Sequence, residues 1–275
     1  MMDRRQQRVL RQHLQTDALL GVEAVPRSQE PGAVEMLGEA TPGNAGDAMA
    51  GRMKDETPGA TAEATAGPQG AERQEIWTGK PMSRPNKIRA LKEMDEKEVR
   101  GCKKCGLCTE RTQTVFGEGD PEAEVMFIGE GPGQTEDEMG RPFVGRAGAL
   151  LDKMIAAMGY AREQVYITNV VKCRPPNNRT PTPVEVQACW SHLGKQIAII
   201  RPKVIVTLGG PAMKMVLDVS EGITRLRGIW HEYRGIEPAI AVMPTFHPAY
   251  LLRSYTKENR AKVWSDLQAV MTKIR

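Results

Sequence analysis

A short apolar run, Val125-Met126-Phe127-Ile128, stops abruptly at Gly129-Glu130-Gly131-Pro132-Gly133, and after an acidic stretch the chain resumes with apolar residues at helical spacing. Four apolar residues bounded by glycine read as a buried strand, and Ala147, Leu150, Leu151 and Met154 fall on one face of a helix. A strand that passes through a polar loop into a helix puts that loop at the carboxyl end of a sheet strand, where open α/β sheets bind ligands. The loop carries Glu136, Asp137 and Glu138, and it lacks both the Lys-Ser/Thr ending of a phosphate cradle and the glycine spacing of a dinucleotide site. Carboxylates beside close-approach glycines, with Phe143 following, suit a flat, neutral, hydrogen-bonding ligand such as a nucleobase.

The rest of the chain extends this pattern. Further strands are predicted over residues 165–171, 203–208 and 239–243, with helices over 184–200, from Pro211, and over 258–274. The last helix turns Ala261, Val263, Trp264, Leu267 and Val270 inward. Residues 87–100 are charged and helix-prone, and residues 222–237 read as irregular or hairpin-like. Alternating strands and helices predict an α/β fold, a three-layer α/β/α sandwich around a short, largely parallel four-stranded sheet. That domain is expected over residues 86–275. Residues 1–80 contain no Phe or Tyr and a single Trp, Trp77, so they offer too little apolar surface to offset chain entropy. Residues 1–85 are therefore expected to be a mostly disordered, low-complexity extension, with a linker at 28–75. Val9, Leu10, Leu14, Ala18 and Leu19 predict one short helix at 5–20, which would suit docking to a partner protein. Removing residues 1–26 without losing any interaction would dispose of that idea.

Charge is divided unevenly. Residues 1–80 hold 9 basic and 12 acidic residues, while 81–275 hold 29 basic and 22 acidic, so the folded part carries the surplus. A moderate positive charge favours a polyanionic partner through counterion release. No apolar run approaches the roughly 20 residues that span a bilayer, and the N-terminus lacks the apolar core of a secretory signal. The expectation is a cytoplasmic, nucleoid-associated monomer without membrane contact.

Five cysteines occur, at positions 102, 105, 108, 173 and 189. Clustered thiols in an intracellular chain suggest metal or redox chemistry. Cys102 and Cys105 form a Cys-x-x-Cys bite, but Cys173 and Cys189 are dispersed, unlike the second pair of a zinc ribbon. Four thiolates without histidine suit an iron–sulfur cluster, with zinc or unrelated buried thiols as the other readings. Spacing leaves open which of Cys102, Cys105 and Cys108 is the spare.

Polar residues mark the strand ends. Glu130 follows the first strand, Asn169 lies in the second, and His247 follows the fourth. In a parallel sheet they converge on one crevice, with Phe143 reaching in from the loop. An Asn amide presents a donor and an acceptor in one plane, matching a pyrimidine edge. A phenylalanine stacks on a base face, and a histidine donates to an oxygen gaining negative charge.

Four segments carry a resemblance to a known family. They are Cys102-x-x-Cys105 with Cys108 and Arg111, GEGPG with RPFVGRAGALL, VYITNVVKCRPPNNRTPTPVE, and TFHPAYLLR. Over about residues 90–275 the chain resembles the family 4, iron–sulfur class of the uracil-DNA glycosylase superfamily. The resemblance implies an enzyme that flips uracil out of DNA and hydrolyses its N-glycosidic bond. It also implies that Cys102, Cys105, Cys173 and Cys189 bind a 4Fe-4S cluster of structural role, leaving Cys108 free. Phe143 would stack on the base, Asn169 would read its O4 and N3 edge, and His247 would stabilise charge on O2. Glu130 and Gly131 would line the sugar and water, and Glu136 would crowd position 5 against thymine. Leu251, Leu252 and Arg253 would press on the duplex where the base leaves.

Related families carry an Asp base where this chain has Gly131, so either Glu130 activates water or the site relies on electrostatics. The motifs are read as lacking a lysine for Schiff-base chemistry, which predicts a monofunctional enzyme. Residues 172–185 lack the basic, histidine-containing insertion of the tight-binding relatives, so covalent trapping of DNA is not expected. Two other functions remain open: a glycosylase for another deaminated base such as hypoxanthine, and a catalytically inactive iron–sulfur DNA-binding module. Activity on inosine DNA alone would favour the first, and a colourless, inactive zinc protein the second.

Overall fold

A computed structural model describes residues 77–275. The expected helix at 5–20 and linker at 28–75 lie outside the described residues. Six strands form one sheet: β1 (Glu118–Gly119), β2 (Val125–Gly129), β3 (Tyr166–Asn169), β4 (Val204–Leu208), β5 (His231–Tyr233) and β6 (Ile240–Thr245). Their order is β1-β3-β2-β4-β6-β5. The inner four are mutually parallel, and the two edge strands pair antiparallel. The four-stranded expectation is thus correct for the centre of the sheet and short by two edges. Strands of two and three residues are too short to show a period of two in sequence.

The helices are α1 (Arg84–Met94), α2 (Gln134–Met139), α3 (Arg146–Ala157), α4 (Pro183–Ile200), α5 (Gly210–Leu217), α6 (Ile223–Leu226), α7 (Pro248–Arg253) and α8 (Lys257–Ile274). Strands β2, β3 and β4 are buried along their whole length, as strands covered on both faces must be. Alternation divides their side chains between two cores. Val125, Phe127 and Val206 pack with Leu151 and Met154 of α3 and Trp264 and Leu267 of α8. Met126, Ile128 and Ile205 pack with Leu91 of α1, Leu193 and Ile197 of α4 and Val216 of α5. The result is the three-layer sandwich.

Two local differences reposition the site. The acidic stretch is a short helix, α2, ended by Gly140 at φ 69, and not an open loop. Strand β3 stops at Asn169 instead of running on to residue 171. Val170 and Val171 then donate to the Gly129 and Glu130 carbonyls (2.9 and 3.2 Å), so the two loops beyond the sheet travel together. The 222–237 stretch, read as irregular or hairpin-like, contains α6 and the edge strand β5. Thr182 caps α4 with Pro183 in its first turn, and Glu185 closes a capping box. Glu185 also takes a two-pronged ion pair from Arg179, which holds its carboxyl down at about 2.

Candidate functional site

A cleft of about 640 Å³ opens at the carboxyl ends of the parallel strands. Glu130 and Gly131 enter it from β2, Asn169 from β3, Gly209 from β4 and His247 from β6. Phe143 reaches in from the α2–α3 connection, Glu136 from α2 and Arg253 from α7. Seven residues singled out in sequence therefore share one crevice.

Asn169 is 1% exposed, yet its Oδ1 has no hydrogen-bond partner among the described residues. A buried acceptor without a donor is costly unless a ligand supplies one. Gly129 explains how the amide comes so close to the Phe143 ring: a Cβ there would run into Asn169 Oδ1 and lie 2.5 Å from Phe143 Cζ. Phe143 is itself buried and has φ 50, a left-handed backbone that a non-glycine residue adopts at a cost. Its ring centroid is 5.6 Å from that of His247, with the planes tilted by 32°.

Glu136 secures this conformation. Its Oε1 accepts from the Val144 and Gly145 amides (2.9 and 2.8 Å), and Oε2 accepts from Gly133 N (3.1 Å). The carboxylate therefore ties the chain immediately after Phe143 to the start of α2. Sequence reasoning found the residue but missed this role, although the Gly133-x-x-Glu136 spacing of a capping box was there to read.

His247 caps α7, and its Nδ1 accepts from Ala249 N at 3.0 Å. An accepting Nδ1 leaves the ring proton on Nε2. Burial, reinforced by Arg253, lowers the ring's pKa to about 4, so the imidazole is neutral near pH 7. Burial also raises the Glu130 carboxyl above its ordinary value, against a hydrogen bond with Thr180. At Gly131 a Cβ would meet Val171 Cγ2 at 2.7 Å, so a longer side chain fits only if Val171 moves.

The α7 segment corrects one expectation. Leu251 is 2% exposed and packs in the core, so it is not available to a duplex. Leu252 and Tyr250, 38% and 37% exposed, are the large apolar residues this segment presents outward, with Arg253 at the cleft beside them.

A second, smaller pocket is lined by all five cysteines together with Arg111, Lys172 and His192. Arg111 Nη1 donates to Cys173 Sγ (3.0 Å), Lys172 N donates to Cys189 Sγ (3.3 Å), and His192 Nε2 stands 3.5 Å from Cys102 Sγ. Burial pushes the Cys173 thiol up to about 11 and raises Cys189 and Cys105 as well. Among the described residues, no three His, Cys, Asp or Glu side chains converge tightly enough to hold a single metal ion.

The reading that the motifs contain no lysine passed over Lys172, which lies inside the second one. It is 1% exposed, and burial lowers its ammonium to about 7, opposed by the Cys189 and Cys173 sulfurs. Its Nζ is taken by Thr168 Oγ1, Asn169 O and Gln196 Oε1, and it does not line the cleft. No lysine does. Also among the described residues, no helix is long and apolar enough to cross a membrane.

Residues 116–268 match the family model described as the uracil DNA glycosylase superfamily. The chain is 47% identical over 186 residues to a Type-4 uracil-DNA glycosylase of Thermotoga maritima, covering 67% of this chain and 95% of that protein. It is 51% identical over 162 residues to a Type-4 enzyme of Sulfurisphaera tokodaii, covering 57% of this chain and 74% of the other. With that of Archaeoglobus fulgidus the identity is 43% over 178 residues, covering 63% and 88% respectively.

Proposed function

The chain belongs to the uracil DNA glycosylase superfamily, and from that premise we propose that it is a Type-4 uracil-DNA glycosylase acting on flipped-out uracil in base excision repair. The observation that carries the assignment of the pocket is the buried, unpartnered Oδ1 of Asn169. Uracil N3–H supplies the missing donor, while the amide nitrogen donates to O4. Cytosine offers an acceptor at N3 and an amine at position 4, so both contacts would be mismatched and buried groups left unpaired.

Extruding the base costs a few kcal/mol of stacking and pairing, which the pocket must offset. Phe143 stacks on the extruded ring and keeps it in the plane of the Asn169 amide. As the glycosidic bond lengthens, positive charge grows on the sugar and negative charge on the uracil oxygens. The neutral His247, with its proton on Nε2, donates to O2 at that stage. One preorganised donor of this kind is worth roughly 3–4 kcal/mol of barrier. Glu130, partly desolvated beside Thr180, faces the sugar and orients the attacking water. Val171 crowds Gly131, so the aspartate base of related families has no room there; electrostatics with modest help from Glu130 is the reading this supports. A cleft without lysine supports a monofunctional enzyme that leaves an abasic site and an intact strand. Leu252 and Arg253 take the place at the duplex, and the chromosomal substrate puts the work at the nucleoid.

The thiol-lined cavity fits an iron–sulfur cluster. Thiols that surround a common space without converging on one point suit a cluster with separated corners better than a single zinc ion. Cys102, Cys105, Cys173 and Cys189 would hold a 4Fe-4S cluster, with Cys108 as the spare. When bound, the cluster supplies a rigid cross-link between the Cys102–Cys105 loop, the end of β3 and α4. The Arg111 guanidinium at Cys173 supplies the countercharge that buried thiolates need.

The decisive test is cleavage of a uracil-containing oligonucleotide by anaerobically purified protein, scored after alkali, with Asn169→Ala alongside. Alkali-dependent cleavage that the substitution abolishes is the expected result. An iron-replete protein that releases no uracil would overturn the reading.

A further inference from the structure

Lys172 is a buried lysine that the reaction as outlined leaves unused. Its side chain turns back under the end of β3, where Nζ donates to Asn169 O (2.7 Å), Thr168 Oγ1 (2.6 Å) and Gln196 Oε1 (2.6 Å). An ammonium has three protons, and all three are taken. Its acceptors are themselves held. Thr168 Oγ1 donates to Phe116 O (2.9 Å), and Gln196 Nε2 donates to Phe116 O (2.9 Å) and Tyr166 Oη (3.2 Å). Thr168 and Gln196 are fully buried and Tyr166 is 2% exposed, so water cannot replace a lost member of this network. A satisfied network of this kind is rigid because every alternative geometry orphans a polar group.

The contrast with the Asn169 side chain is the telling feature. Its Oδ1 has no partner among the described residues, so no hydrogen bond holds that acceptor and its place depends on packing and on the backbone that carries it. The backbone carbonyl of the same residue is the one Lys172 grips. We infer that Lys172 is a positioning residue for the base-reading amide: it pins the Asn169 main chain to α4 through Gln196 and so sets the register in which the amide meets a pyrimidine. The inference rests on the uracil-reading assignment of Asn169. Lys172 touches no substrate, and its own amide donates to Cys189 Sγ, so it stands where the thiol-lined cavity and the base pocket meet.

The test compares full-length wild type with Lys172→Met, which keeps the length of the stem and removes all three donors. Iron per chain, visible absorbance and Tm report on fold and cluster. Steady-state kcat and KM on a uracil oligonucleotide, and calorimetric affinity for free uracil, report on the amide. Misplacing a reacting group costs on the order of 10–100-fold, so kcat should fall by about that factor while KM for DNA and iron content hold. Affinity for free uracil should fall in parallel. A merely structural lysine would lower Tm and leave kcat unchanged below the transition, and that result overturns the inference. Should Lys172→Met fail to fold, Gln196→Met replaces it, since it leaves the Lys172 bond to Asn169 O and cuts the tie to α4. It carries the same test: kcat must fall, and a kcat at the wild-type value refutes the role. Wild-type protein that releases no uracil would instead overturn the functional reading itself.

Discussion

Replacing Glu136 by alanine separates two roles for that residue. If its main task were to crowd position 5 of the pyrimidine, Glu136→Ala would admit thymine and leave uracil excision intact. The structure gives it another task, since its carboxylate accepts three backbone amides, from Gly133, Val144 and Gly145. A hydrogen bond to a charged group contributes roughly 1.5–3 kcal/mol net, and partial exposure and non-additivity bring three of them down to about 3 kcal/mol. That contribution opposes the left-handed backbone of Phe143, which costs roughly 1–2 kcal/mol. Without the clamp the turn relaxes, and the pocket loses the Phe143 ring for most of the time. A loss of about 3 kcal/mol corresponds to a fall of roughly 10²-fold in kcat/KM. Glu136→Gln keeps one oxygen for Val144 and Gly145 but turns an amine toward Gly133, so a fall of about tenfold is expected, one hydrogen bond's worth. Single-turnover release from paired uracil and thymine oligonucleotides measures both quantities. Glu136→Ala with uracil excision within about threefold of wild type would refute the clamp, because that is less than a single hydrogen bond.

The remaining predictions concern proton, space and metal. His247 has a folded pKa of about 4 against 6.5 when unperturbed, so between these values the unfolded chain binds more protons and stability falls as pH drops from 6.5 to 4. His247→Gln should flatten that part of a Tm-against-pH curve while reducing excision by about 10²–10³-fold; an unchanged curve would count against the buried neutral ring. Gly131→Asp should lose activity because its Cβ meets Val171, and Gly131→Asp/Val171→Ala should recover part of it. No recovery in uracil release would mean that crowding is not what keeps an aspartate out. Cys108→Ser should retain iron and visible absorbance, whereas Cys173→Ser should lose both. Iron loss from the Cys108 variant would make that thiol a ligand.

Much of this protein is determined by local sequence. The apolar run at 125–128, the glycines after it and the helical spacing beyond them require a strand–loop–helix unit. Its repetition requires a sheet with helices on both faces, because each pattern spans only a few neighbours along the chain. The same reasoning gathers Glu130, Phe143, Asn169 and His247 at one end of that sheet, since residues after parallel strands emerge on one side. Other features depend on contacts between residues far apart in sequence, which local pattern does not encode. The edge strands β1 and β5 exist only because β3 and β6 are there to pair with them. Leu251 looks like its neighbour Leu252 in the sequence, and the packing of α7 against α3 decides that one is core and the other surface. Glu136 reads as one of three acidic residues until the fold brings Val144 and Gly145 to its carboxylate. Lys172 is the sharpest case. In sequence it is a charged residue beside a cysteine; only the tertiary structure supplies the Gln196 oxygen, 24 positions away, that helps make a buried ammonium tolerable beside the Asn169 carbonyl at the end of β3.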